Sequence, residues 1–165
     1  MNSSPTTMPF QAYEAVVSDD WIDLNDHLNA RYYGDLIYQA HELLSVRLGF
    51  DQAYVDATQH SKVVAESHLR YEREIRRGAR IGVRSWLLAV DDKRLHFAHE
   101  LLDLTGGFRA AFAEQLDLHV DLTARRVAPM PVALRDRLAA LAETGRVAAG
   151  AAALPVGGAV RGVTI

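Results

Sequence analysis

Between Asn29 and Gly49 the apolar residues recur every three or four positions; from Ser61 to Leu122 they recur every two. The first period belongs to an α-helix and the second to β-strands. Tyr33, Leu36, Ile37, Ala40, Leu43, Leu44 and Leu48 form a broad apolar face, wide enough to be wrapped by a sheet. Asn29 is placed to cap this helix and Gly49 to stop it. Four strand segments follow: SKVVAESHLRYEREI (61–75), IGVRSWLLAV (81–90), LHFAHELLDL (95–104) and FRAAFAEQLDLHVDL (108–122). RRGAR, DDKR and TGG separate them as turns, which predicts a four-stranded antiparallel meander. AYEAVVS (12–18) adds a short strand before the helix, and Pro129 and Pro131 introduce a second helix over 132–143. The order predicts an α+β fold in which a curved antiparallel sheet wraps one central helix.

The 165 residues suit a single domain. It is expected over residues 11–143, with a flexible N-terminus over 1–10 and a mobile Ala/Gly-rich tail over 144–165. A net charge of −3 provides no basic field for nucleic acid or an anionic membrane. Cysteine is absent, which removes disulfides and thiol nucleophiles and fits a reducing compartment. No apolar run approaches the ~18 residues of a membrane span. The N-terminus has neither the basic start nor the apolar run of a signal peptide. A cytoplasmic protein is the expectation. His96 and His99 fall on opposite faces of one strand, and the seven histidines form no metal-binding pattern. There is no Gly-x-Ser-x-Gly elbow and no glycine-rich phosphate loop.

The densest chemistry is in DDWIDLNDHLNARYY, residues 19–33. It carries acids into an apolar setting, among Trp21, Ile22, Leu24 and Leu28, just ahead of the long helix. A carboxylate there can act as nucleophile or general base. The unpaired N–H groups of the first helical turn can stabilise an oxyanion. By spacing alone, a capping or solvated loop acid is the favoured reading. Glu66, His68 and Arg70 share one face of the second strand, either as a solvated row or as a row facing a partner subunit. RYEREIRR concentrates Arg70, Arg73, Arg76 and Arg77, which suits phosphates or an exposed turn.

DLNDHLNARYY resembles the D-x-x-x-H-x-N-x-x-x-Y motif of hot-dog acyl-CoA thioesterases of the 4-hydroxybenzoyl-CoA thioesterase type. AAFAEQLDLHVDLTARRVAPMP is similar to that family's last strand and its exit, and the likeness runs from about Tyr13 to Leu141. WIDLNDHL and KRLH resemble most the branch that hydrolyses betainyl-CoA in carnitine breakdown. Asp26 departs from the pattern, since glycine usually precedes the histidine. The resemblance implies a hot-dog fold and hydrolysis of a small acyl-CoA, with betainyl-CoA as the finer expectation. An aryl or medium-chain acyl-CoA thioesterase, or a non-catalytic hot-dog domain that binds an acyl thioester, are the alternatives. It also implies Asp23 as the catalytic carboxylate and the backbone N–H groups of Ala30 and Arg31 as the oxyanion site. His27 and Asn29 would orient the carboxylate or water, and His68 is a further candidate for the site. Trp21, Tyr33 and Glu66 are the candidates for the acyl group, because a quaternary ammonium seeks aromatic faces and acids. Arg70 and Arg73 are the candidates for the CoA phosphates. A homodimer or homotetramer is expected. So is the absence of a cofactor or metal, CoA being part of the substrate.

Overall fold

Asn29 caps the long helix as the sequence predicts: its side chain accepts a hydrogen bond from the Arg31 N–H at 3.1 Å. In the computed structural model, which describes residues 7–157, the order is β1 (Phe10–Val16), α1 (Ala30–Arg47), α2 (Gln52–Thr58), β2 (His60–Tyr71), β3 (Arg80–Val90), β4 (Arg94–Asp103), β5 (Phe108–Asp121), β6 (Arg126–Val127) and α3 (Val132–Ala151). Five long strands form one antiparallel sheet in the order β1-β3-β4-β5-β2, with the two-residue β6 beside β5. α1 lies against one face of this sheet. Leu36, Ile37 and Ala40 pack there with Val83, Leu101 and Ala113, and Leu44 and Leu48 with Phe97 further along. This is the expected hot-dog arrangement.

The meander is shorter than predicted. β3, β4 and β5 are consecutive neighbours, but β2 pairs with β5 at the far edge, with Leu69 opposite Ala113. RRGAR is therefore no hairpin turn. β2 stops at Tyr71, and residues 72–79 cross past the start of α1 to reach β3. The alternating pattern misled here because Ile75 continues it. Ile75 is fully buried, but its carbonyl accepts from Leu28 N–H at 2.8 Å and its N–H donates to Tyr33 Oη at 3.1 Å. Its apolarity serves the helix start instead of a strand.

Two helical segments also differ from expectation. α2 has no apolar stripe to announce it, and Asp51 caps it by accepting from Tyr54 N–H at 2.9 Å. α3 continues past Glu143 to Ala151, so residues 144–151 of the expected mobile tail are helical. Small residues make this possible. Gly145 packs so close to β3 that a Cβ there would lie 2.0 Å from the Leu87 carbonyl oxygen, and Ala149 is buried against the sheet. Gly157 N–H then donates to Glu114 Oε1 at 2.9 Å. Residues 158–165 of that tail, and 1–6 of the expected flexible N-terminus, lie outside the described residues; Phe10 already belongs to β1.

A polar network sits inside the apolar core. His41 of α1 contacts Asp117 of β5 at 2.9 Å and His99 of β4 at 3.3 Å. Lys62 of β2 reaches the same Asp117 oxygen at 2.5 Å, and His99 contacts Ser85 of β3 at 2.8 Å. His41, His99, Ser85 and Asp117 are essentially inaccessible. Burial alone would raise the Asp117 pKa, but the hydrogen bond from His41 and the charges of His41 and Lys62 hold it below the ordinary value. Burial, helped by the neighbouring His41 charge, holds His99 well below the usual imidazole range. The network ties helix and edge strand together through β5.

Candidate active site at the start of α1

Residues 21–29 close on themselves. Asp23 N–H donates to the His27 carbonyl at 2.9 Å, Asp26 N–H to the Asp23 carbonyl at 3.1 Å, and Asn29 N–H to the Trp21 carbonyl at 2.9 Å. Ile22 and Leu28 form an antiparallel bridge. Asp23 is partly buried as a residue, and its carboxylate Oδ1 accepts from Asn25 N–H at 2.8 Å. Ile22, Leu28 and Trp21 anchor the base of this loop in the core cluster around α1. Trp21, Ile22 and Leu28 thus have a purpose: they close the loop that carries Asp23 immediately ahead of the helix, whereas Leu24 is fully exposed. Helix N-termini present unpaired N–H groups and a positive partial charge, so a carboxylate reaction there has electrostatic support.

The crossing segment holds the loop from outside. His27 Nε2 lies 3.1 Å from Glu74, and Arg77 pairs with Asp19 at 2.7 Å and Asp26 at 3.0 Å. Asp19 is therefore a clamp point. Glu74 and Arg77 were not singled out as site residues. Their only signal was the charge density of RYEREIRR, which cannot say which charges meet. Asp26 has φ +62°, the left-handed region where glycine is cheapest. The departure from the family pattern thus keeps the conformation and accepts its strain. Asp26→Ala is expected to be less stable than Asp26→Gly by about 1 kcal/mol, measurable by urea denaturation of the two variants.

The remaining sequence candidates separate into two groups. Trp21 and Tyr32 stack with centroids 5.4 Å apart beside the loop, and the Arg31 guanidinium lies 4.5 Å from the Tyr32 ring centre. Asn29 takes the Arg31 N–H, so that donor is already engaged. Tyr33 is buried and its hydroxyl is committed, donating to the Arg73 carbonyl at 3.2 Å and accepting from Ile75. It braces the crossing segment and is not available to an acyl group. Glu66, His68 and Arg70 do share a face, but it is the face turned away from α1: they lie opposite Leu116, Glu114 and Phe112, whereas Leu69 packs toward the helix. Within one chain the sheet separates His68 and Glu66 from Asp23. Arg70 pairs with Glu72 at 2.8 Å over the Phe112 ring, away from the loop, while Arg73 stays beside it on the crossing segment. Among the described residues, no three His, Asp or Glu side chains converge as a metal set, and no helix is long and apolar enough to cross a membrane.

The model of the thioesterase-like superfamily matches residues 17–138, which span the loop, α1 and the whole sheet after β1. The chain belongs to the thioesterase-like superfamily. A betainyl-CoA thioesterase of Pseudomonas aeruginosa is 39% identical over 144 residues, covering 87% of each protein. A protein of Pseudomonas putida KT2440 provisionally named a thioesterase is 27% identical with a TM-score of 0.67, over 99% of this chain and 97% of that one. A Staphylococcus aureus protein solved in complex with CoA superposes with a TM-score of 0.75 over 86% of this chain and 89% of the other; at 19% identity, that likeness concerns the fold. For this superfamily member the matched span places the Asp23 loop and the 72–79 crossing inside the shared domain.

Proposed function

We propose that the protein hydrolyses acyl-CoA thioesters at the start of α1, with Asp23 as the reacting carboxylate and betainyl-CoA as the preferred substrate. The observation that carries the reading is the closed loop that holds Asp23 immediately ahead of the start of α1, in a chain 39% identical to a betainyl-CoA thioesterase. Asp23 either attacks the thioester carbonyl to give an anhydride or draws a proton from an attacking water. The N–H of Ala30, at the positive end of the helix, receives the developing oxyanion. His27, held by Glu74, fixes the backbone to which Asp23 bonds. The Trp21–Tyr32 pair supports the choice of a quaternary ammonium acyl group. Tyr32 already holds one cation, Arg31, over its ring, and trimethylammonium groups seek the same aromatic faces. Among the described residues β2 lies at the edge of the sheet, which supports a homodimer, since an open strand edge invites a second copy.

Thiol release from a panel of acyl-CoAs tests the reading. Betainyl-CoA is expected to exceed aryl and medium-chain substrates by about 10-fold or more in kcat/KM, a gap that cation recognition of 1–2 kcal/mol supplies. A preference for an aryl or fatty acyl group would remove the betaine assignment. Silence across the panel would make the protein a binding module.

A further inference from the structure

A hollow of about 530 Å³ opens between the crossing segment and the β4–β5 turn. Its lining combines Arg73, Arg76 and Arg77 with the acids Glu74 and Asp103 and the apolar Ala79 and Phe108. Its size is that of a small-molecule site. The charges are unevenly committed. Arg77 is spent on Asp19 and Asp26, and Asp103 is buried with one oxygen accepting from Gly106 N–H at 2.7 Å. Arg76 is largely exposed, and its ion pair with Glu74 is long, at 3.6 Å. Arg73 lies over the Phe108 ring, 5.1 Å from its centre. The hollow therefore presents two forked cations, one of them stacked on the Phe108 ring. Guanidinium forks suit phosphates, and an aromatic face suits a planar base. The same wall carries Glu74 and Arg77, which hold the Asp23 loop, so a ligand here lies one loop away from that carboxylate.

We propose that this hollow seats the phosphorylated nucleoside end of the CoA thioester, with Arg73 and Arg76 on the phosphates and the base beside the Arg73–Phe108 stack. The assignment rests on the acyl-CoA reading above. It replaces Arg70, whose guanidinium is turned to the other side of the sheet, with Arg76.

The test compares one acyl group carried on CoA and on pantetheine, which lacks the nucleotide. Wild-type protein is expected to favour the CoA thioester in kcat/KM by about 10-fold or more, since each charged hydrogen bond contributes about that factor. In an Arg73→Ala/Arg76→Ala variant this preference collapses, mainly through KM. Both side chains lie on the surface, so the fold survives their loss. Equal losses on the two thioesters, or none, would overturn the assignment. If wild-type protein cleaves neither thioester, the thioesterase reading falls, and calorimetric titration with adenosine 3′,5′-bisphosphate decides the hollow by itself. Binding that weakens about 10-fold in the variant supports the site, and no binding by wild-type protein overturns it.

Discussion

Asp23→Asn is expected to lower kcat on an acyl-CoA by about 10³-fold or more, the scale on which removal of a nucleophile or general base is felt. The substitution is chosen because it isolates charge from architecture. The Asp23 side chain accepts from Asn25 N–H through one oxygen, at 2.8 Å, and the asparagine carbonyl can keep that bond. The backbone bonds to His27 and Asp26 do not involve the side chain at all. The loop should therefore stay closed, and thermal unfolding of the variant should match wild type. What disappears is the anion that either attacks the carbonyl or takes a proton from water. A single turnover in ¹⁸O-water separates those two routes: label in Asp23 marks direct attack. A variant that unfolds normally yet retains activity within about 10-fold of wild type would exclude Asp23 as the reacting group, because positioning losses alone fall in that range.

Asp117→Ala should have the largest effect on stability, a loss of about 3–5 kcal/mol, as expected when one partner of a buried ion pair is removed. Lys62 and His41 both converge on a single Asp117 oxygen, and their side chains are 5% and 0% exposed. Without the carboxylate, a buried ammonium faces a buried imidazole 2.9 Å away, with no negative charge between them. At about 2–4 °C per kcal/mol for a domain of this size, calorimetry should register a fall in Tm of roughly 10 °C. Adding Lys62→Met removes the stranded cation and should recover part of the loss, a double-mutant coupling that additive effects cannot imitate. Catalysis responds differently. His41 lies eleven residues beyond Ala30, about 16 Å along the helix, so the protein that remains folded should keep its kcat. A variant as stable as wild type would mean that the network carries no net stabilisation.

The helix, the strands and the acids at the helix start were all legible because each rests on local spacing. Tyr33, Leu36, Ile37, Ala40 and Leu44 face the core as their period requires. Asn29 caps because its side chain needs only an N–H two residues away. His41 lies on the same apolar face without announcing its network, since one polar residue in an apolar stripe does not reveal Lys62 or Asp117, which arrive from two different strands.

By itself, then, the sequence determined α1, the five long strands and the start of α3, the wrapping of a sheet about α1, and the place of Asp23 ahead of that helix, because periodicity and capping are properties of neighbours in the chain. Only the tertiary structure decided that β2 pairs with β5, that Tyr33 braces Ile75, that His68 lies across the sheet from Asp23, and that Glu74 and Arg77 hold the loop. Strand order and charge pairing depend on which distant surfaces can be buried together, and a one-dimensional pattern of apolar residues is the same for a hairpin as for a crossing.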